Sequence, residues 1–178
     1  MQIVRVPEEQ YKIPKEMLWC LILAMAIVIQ YLITIYAVTM RARIKIFNRK
    51  FMEQFDDMHR QAFPGQEHAP EFGYPDTGNG FYAKKLPYAD WFNFNCAQRC
   101  QVNFLEHITF LVLGTIICAF AYPVWALVLQ AFIFLGRLLF TIGYSVWGPS
   151  GRIPGALIMD LAIFGTFGLM IAAVVKLA

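Results

Sequence analysis

Charged residues are scarce in this chain of 178 residues, where they make up 15% of the sequence. A soluble domain carries about 25%. Beyond residue 100, the charged residues are Glu106, Arg137, Arg152, Asp160 and Lys176. Hydrophobic residues reach 58%, above the roughly 45–50% of soluble domains. This balance excludes a soluble enzyme and a disordered chain, and it predicts an integral membrane protein of one domain.

Cysteine and histidine are also few. Cys20 and Cys118 lie inside apolar stretches, and Cys96 and Cys100 share one helical face. This placement excludes a disulfide scaffold and indicates reduced thiols. The three histidines, His59, His68 and His107, have no metal-ligand spacing, so we predict no metal site. Nothing in the basic residues indicates binding to nucleic acid.

The sequence contains four long apolar runs. They cover residues 17–40, 104–122, 124–147 and 155–178, and each is long enough to cross the hydrocarbon core as a helix. Pro123 leaves almost no loop between the second and third runs, while Gly148–Gly151 marks a turn before the fourth. The fold class predicted is all-α, an integral membrane four-helix bundle with up-down-up-down topology.

Basic residues predict the orientation of these spans. Five basic residues follow the first span, and one lies in the third connection: Arg41, Arg43, Lys45, Arg49, Lys50 and Arg152. The hairpin at Tyr122-Pro123 is uncharged. By the positive-inside rule both connections face the cytoplasm, or the matrix in a mitochondrial membrane. Residues 1–16 contain Glu8, Glu9 and Glu16. We therefore expect an uncleaved signal anchor rather than a cleavable signal or presequence.

The first connection, residues 41–98, is long. Its residues 41–63 predict one amphipathic helix with an apolar face of Ile44, Phe47, Phe51, Phe55, Met58 and Ala62. The stretch from Pro64 to Trp91 is rich in proline, glycine and aromatic residues, and it exceeds an ordinary connector. Three roles remain open for this stretch: a lid, a loop that docks a partner, and a segment that lies along the membrane interface.

Two polar stripes enter the apolar helices. Arg99, Asn103 and Glu106 share one helical face, extended by Asn95, and Gln130, Arg137 and Tyr144 share another. Facing each other, these stripes would form a slot for a small zwitterionic ligand, with arginines for its carboxylates and Glu106 for its amine. The alternative is that Glu106 and Arg137 pair only to hold helices together.

These residues carry a family resemblance. Residues 94–106 read FNCAQRCQVNFLE, and GRL at 136–138, GY at 143–144, GPS at 148–150, Arg152 and GAL at 155–157 follow in order. This pattern lies in residues 99–178, which hold the second to fourth spans, and in the few residues before them. It resembles the MAPEG proteins, the membrane-associated eicosanoid and glutathione enzymes. Within that family it is most similar to the third microsomal type of glutathione S-transferase.

The resemblance implies a homotrimer that binds glutathione between neighbouring subunits near the cytoplasmic side. Its glutathione contacts would be Arg41, Arg99, Asn103, Glu106, Arg137 and Tyr144. The reaction implied is addition of the glutathione thiolate to lipophilic electrophiles or lipid hydroperoxides. Glutathione would be the co-substrate, and no metal would be needed. The expected partners are lipophilic small molecules and membrane lipid. The membrane implied is the endoplasmic reticulum, with a mitochondrial membrane as the alternative.

Three positions depart from the family pattern. His107 and Phe140 stand where relatives have tyrosines. The thiol-activating arginine of the family falls on Gly151 by strict spacing, so Arg152 is the candidate catalytic residue. These departures and the long 41–98 connection favour a second interpretation, a non-catalytic scaffold or an accessory subunit of a larger membrane complex, such as a respiratory assembly, contacted through residues 41–98.

Overall fold

The computed structural model describes residues 13–178, so most of the predicted N-terminal segment and the signal-anchor interpretation lie outside the described residues. Across 13–178 the secondary structure is helical, with no strand in that range. The helices in chain order are α1 (Lys15–Ile46), α2 (Arg49–Met52), α3 (Asp56–Ala62), α4 (Tyr88–Ala121), α5 (Pro123–Trp147) and α6 (Ile153–Leu177). Short 3-10 turns lie at Glu53–Phe55, Glu71–Gly73, Ala83–Lys85 and Gly148–Ser150.

Four of these helices, α1, α4, α5 and α6, are long and apolar enough to cross a membrane. They form an all-α bundle, which confirms the predicted fold class. Its central core contains Ile27, Phe104, Leu111, Ile133 and Ala162. The outer faces leave apolar side chains such as Leu161, Phe164 and Val175 more than 70% exposed. Apolar surface of this extent fits a lipid-facing bundle.

The α4–α5 hairpin turns at Tyr122 alone, as Pro123 at the start of α5 predicts. Lys176 near the end of α6 donates from Nζ to the carbonyl oxygen of Ala121 at 2.7 Å and lies 4.5 Å from the Tyr122 ring centroid. This lysine satisfies a carbonyl at the end of α4 and places a positive charge where the helix dipole favours one.

Close approach of α5 and α6 depends on paired glycines. A Cβ added to Gly143 would lie 2.0 Å from the carbonyl oxygen of Gly151, and one added to Gly155 would lie 2.2 Å from the backbone nitrogen of Phe140. Such distances leave no room for any side chain. Small residues are what allow helix backbones to pack this closely in membranes.

The prediction of one amphipathic helix over 41–63 is wrong in its continuity. The first helix runs on to Ile46, and a new start follows because the Asn48 side chain accepts from the backbone N–H of Phe51 at 3.1 Å. On the two sides of the break Phe47 and Phe55 are buried, whereas Ile44 and Met58 stay 45% and 48% exposed.

Residues 47–87, which we call the insert, form a folded unit at the ends of α1 and α4. Its core joins Phe47, Met52, Phe55, Ala69 and Ala83 to Phe94 of α4. The Asp76 carboxylate organises the loop: it accepts backbone N–H groups from Gly78 at 2.7 Å, Gly80 at 2.9 Å and Ala83 at 2.7 Å. The buried carboxylate thus satisfies three backbone N–H groups that would otherwise need partners in a helix or a strand.

Candidate functional site

Arg137, in the middle of α5, is fully buried. Its Nη1 donates to Asn103 Oδ1 at 2.8 Å and its Nη2 to the Asn103 carbonyl oxygen at 3.2 Å. The guanidinium also lies 4.6 Å from the Phe104 ring centroid and 5.7 Å from that of Phe140. The structure thus brings Arg137 and Asn103 together across α5 and α4, as the facing stripes predict.

The alternative pairing of Arg137 with Glu106 is not formed. Among residues 13–178, no carboxylate makes an ion pair with Arg137, and its Nε is buried without a hydrogen-bond partner. Burying a cation with neutral oxygens and aromatic faces is costly unless its donors are used. The buried Nε–H of Arg137 therefore has no acceptor among residues 13–178.

His107 completes this network, which the sequence did not reveal. Its Nδ1 lies 2.7 Å from the Asn103 carbonyl oxygen, so the Nδ1–H tautomer donates to the same oxygen that Arg137 uses. His107 and Asn103 are one helical turn apart on α4, and that spacing is the only sequence signal for the contact. The histidine therefore stiffens the group that holds Arg137.

Tyr144, Phe140 and Arg152 form a second group next to Arg137. The rings of Tyr144 and Phe140 have centroids 5.6 Å apart. The Arg152 guanidinium lies 5.8 Å from the Tyr144 centroid and 5.9 Å from that of Phe140. Phe140 is therefore flanked by Arg137 and Arg152. Position 151 has no room for a side chain, because a Cβ on Gly151 would lie 2.3 Å from the Gly143 carbonyl oxygen in the α5 backbone.

The remaining predicted contacts lie on the surface of the chain. Arg41, Arg99 and Glu106 are exposed, and none of them has a side-chain hydrogen bond or ion pair to any residue within 13–178. Two stripe members point elsewhere. Asn95 donates to the carbonyl oxygens of Gly78 and Trp91, and Gln130 accepts from Thr115 deeper in the bundle.

A cavity of about 520 Å³ opens at the end of the bundle that carries the first and third connections. Its walls come from the end of α1, the start of α4 and the end of α5, and Tyr144 is the predicted ligand residue among them. The shared cavity shows that both connections lie at one end, as the charge pattern predicts. Its polar lining residues include Lys45, Asp90, Asn93 and Ser145.

A buried arginine in the first connection was missed by sequence reasoning. Arg43 is 4% exposed and donates from Nη1 to the Phe72 carbonyl oxygen at 3.1 Å and from Nη2 to that of Asp76 at 2.6 Å. Its guanidinium lies 4.4 Å from the Tyr74 ring centroid. Phe72 has φ 57°, in the left-handed region that favours glycine. Arg43 thus fastens the insert to α1.

An ion pair stabilises the outer part of the insert. Arg49 Nη1 donates to Asp56 Oδ1 at 3.1 Å, and that oxygen also accepts the backbone N–H of Ala69 at 2.9 Å. The Arg49 guanidinium, followed by the Ala69 N–H, holds the pKa of Asp56 well below its ordinary value. The same pair raises the pKa of Arg49. Within 13–178, no three His, Cys, Asp or Glu side chains cluster as a metal site would require.

The comparison with known families covers nearly the whole chain. The model of the MAPEG family matches residues 17–174, a range that includes the insert and all but a few terminal residues of the four spans. No curated protein and no solved structure matches the chain. Because the match extends over far more than half of the sequence, the chain belongs to the MAPEG family.

Proposed function

We propose that this protein is a membrane glutathione transferase or peroxidase, similar to the third microsomal type of the family, acting as a homotrimer with glutathione between subunits. The observation that carries the proposal is the buried Arg137, which is held by Asn103 and keeps an N–H free. MAPEG membership supports glutathione as the ligand. A guanidinium placed in this way suits a carboxylate acceptor.

The charges of glutathione match the residues that stay unpaired within a single chain. Arg99 and Arg41 offer guanidinium groups for its two carboxylates, and Glu106 offers a carboxylate for its ammonium group. Arg99, Asn103 and Glu106 lie on one face of α4, so one subunit presents them together. Arg41, at the end of α1, would reach the same ligand from the neighbouring subunit.

The chemical step requires the glutathione thiolate, because the thiol titrates well above neutral pH. Arg152 beside Tyr144 is the group we assign to stabilise that thiolate. The thiol loses its proton to solvent, the sulfur then bonds to one carbon of an electron-poor double bond as the π bond breaks, and the adjacent carbon takes up a proton from solvent. With a lipid hydroperoxide, two glutathiones yield their disulfide, an alcohol and water. Phe140 offers no hydroxyl, so Tyr144 and Arg152 would supply the polar contacts to sulfur.

The acceptor substrate is lipophilic and enters from the membrane along α5 and α6, whose outer faces are strongly apolar. We place the protein in the endoplasmic reticulum, with a mitochondrial membrane as the alternative. The family and the spans support an integral membrane location.

Equilibrium binding of glutathione to the detergent-purified protein tests the proposal. Arg99→Ala should weaken binding about tenfold or more, because it removes a charged hydrogen bond. Arg60→Ala is the matched control, since Arg60 is an exposed arginine that pairs with Asp57 in the insert. A wild-type protein that binds no glutathione at millimolar concentration, or an Arg60 variant as weak as the Arg99 variant, would defeat the proposal.

A second candidate is a non-catalytic MAPEG scaffold or an accessory subunit of a larger membrane complex, with residues 41–98 as the docking region. The folded insert favours it, since Phe63 and Phe81 line an apolar groove there and are more than 50% exposed. Native gels in mild detergent separate the two candidates. Migration only as the free oligomer, with catalytic turnover of glutathione, excludes the accessory role.

A further inference from the structure

The cavity at the end of the bundle is a site separate from the Arg137 group. Its α4 wall consists of Asp90, Phe92, Asn93, Cys96 and Ala97. At 100° per residue, the centre of this face lies about 100° around the helix from that of Arg99, Asn103 and Glu106. The cavity and the predicted glutathione contacts therefore use different faces of α4, and Tyr144 of α5 is common to both.

Polarity changes along the depth of the cavity. At its mouth, where the helices reach the connections, the lining includes Lys45 and Asp90. Deeper toward the membrane, it includes Ala37, Val38 and Ala97. Eight residues of α1 separate Ala37 from Lys45, which corresponds to a depth of about 12 Å. The cavity is thus charged at its water-facing end and apolar at its lipid-facing end.

The two charges at the mouth are of opposite sign and have no partner in the described part of the chain. Neither Lys45 nor Asp90 forms an ion pair or side-chain hydrogen bond within residues 13–178. Trp147, 70% exposed, lines the same mouth. Exposed tryptophans of this kind sit at the headgroup level of a bilayer.

We propose that this cavity binds one zwitterionic phospholipid with an ethanolamine headgroup. Its phosphate would accept from the Lys45 ammonium, and its own ammonium would donate to the Asp90 carboxylate. Asn93 and Ser145 would contact the glycerol esters, and the first part of an acyl chain would follow Val38 and Ala37. A volume of about 520 Å³ accommodates the headgroup and glycerol while the chains continue into the bilayer.

The choice of ethanolamine follows from hydrogen bonding. A primary ammonium has N–H groups for Asp90, whereas the trimethylammonium of choline has none. A glycerol headgroup keeps the phosphate but carries no positive charge for Asp90. Lipid selectivity therefore reports on Asp90, and total lipid retention reports on Lys45.

The experiment uses the full chain in nanodiscs that contain equal amounts of phosphatidylethanolamine, phosphatidylcholine and phosphatidylglycerol, followed by native mass spectrometry of the lipid adducts. Phosphatidylethanolamine should be retained about tenfold over the other two in the wild-type protein. Asp90→Asn should abolish this preference, and Lys45→Gln should lower retention of all three. Both side chains are exposed, so their replacement leaves the core intact.

Lys50→Gln and Glu53→Gln are the matched controls, because both side chains are exposed in the insert and lie outside the cavity lining. They should bind lipid as the wild type does. Equal retention of the three lipids by the wild type, or Asp90 and Lys45 variants that behave like these controls, would overturn the proposal. So would displacement of the bound lipid by millimolar glutathione, since the tripeptide would then be the occupant. The lipid preferences of the wild type and its variants are measured without glutathione, so they do not depend on glutathione binding beside Arg137.

Discussion

Arg43 and Arg137 are both buried, both stack on aromatic rings and both donate to neutral oxygens. Their partners differ. Arg43 binds two main-chain carbonyls of the insert, Phe72 and Asp76. Arg137 binds both oxygens of a single residue, Asn103, and retains an unpartnered Nε.

This difference separates a structural arginine from a candidate ligand-binding one. Main-chain carbonyls that belong to a loop gain a donor only when the loop is docked, so Arg43 acts on the conformation of the insert. A side-chain amide that orients a guanidinium with a spare donor prepares the group for a further acceptor. The two arginines therefore differ in what they hold: Arg43 binds main-chain oxygens of the insert, whereas Arg137 is oriented by Asn103.

The largest effect expected is on Arg137. Arg137→Met should weaken glutathione binding roughly tenfold to 150-fold, since a hydrogen bond to a charged group contributes about 1.5–3 kcal/mol. Arg137→Lys should recover only part of this, because an ammonium cannot hold both Asn103 oxygens in a planar fork. Equilibrium dialysis with labelled glutathione measures the affinity of each variant. If Arg43→Met weakens binding equally, the distinction between the two arginines is wrong.

Gly151→Ala should come next, through the position of Arg152. A Cβ at Gly151 would lie 2.3 Å from the Gly143 carbonyl oxygen, so α5 and α6 must separate at a cost of about 1–3 kcal/mol. The turn that carries Arg152 would move with them, and turnover should fall more than glutathione affinity. Gly168→Ala is the control, because nothing lies within 4 Å of a Cβ there. Thermal unfolding and initial rates give both readouts.

Arg43→Met should destabilise the insert by about 1–3 kcal/mol, since the Phe72 and Asp76 carbonyls lose their buried donor. We expect faster tryptic cleavage after Lys84 and Lys85, with glutathione affinity within twofold of wild type. Arg60→Met controls for the loss of a tryptic site, because Arg60 lies exposed in the same insert. Unchanged cleavage in Arg43→Met would show that the insert does not need this contact.

The smallest effect expected concerns acid stability of the insert. The pKa of folded Asp56 is lowered by Arg49, by the Ala69 N–H and by His68. A lowered folded-state pKa contributes stability above the unfolded carboxyl value of about 3.9, and the contribution disappears as the pH falls below it. The thermal unfolding temperature of the insert should therefore fall as the pH drops below about 4 in the wild type. Asp56→Asn should already be less stable at pH 7 and should lose this acid-dependent decrease, as measured by thermal unfolding at a series of pH values.

Much of the bundle could be predicted from the sequence because lipid imposes simple rules. Apolar runs long enough to span, Pro123 at the hairpin and clustered basic residues indicated the four helices and which connections share an end. Helical periodicity predicted the proximity of Arg137 and Asn103, whereas Arg99 and Glu106 on the same stripe lie on the surface of the chain. The roles of these residues in glutathione binding stay predictions.

The insert could not be predicted in this way. Asn48 interrupts what periodicity suggests is one helix, and Asp76 satisfies N–H groups up to seven residues away within an irregular loop. Arg43 looked like one of several membrane-proximal cations, and its burial depends on where residues 72–76 fold back. Contacts between residues about thirty positions apart leave no periodic signal in the sequence.

Sequence alone thus decided that the chain has four helices long and apolar enough to cross a membrane and that Arg137 and Asn103 come together, because composition and helical period act locally. Tertiary structure decided which arginines are buried, that position 151 has no room for a side chain, and that Lys45 and Asp90 line one cavity. These features depend on how separate helices approach, and that distance is set by packing across the whole bundle.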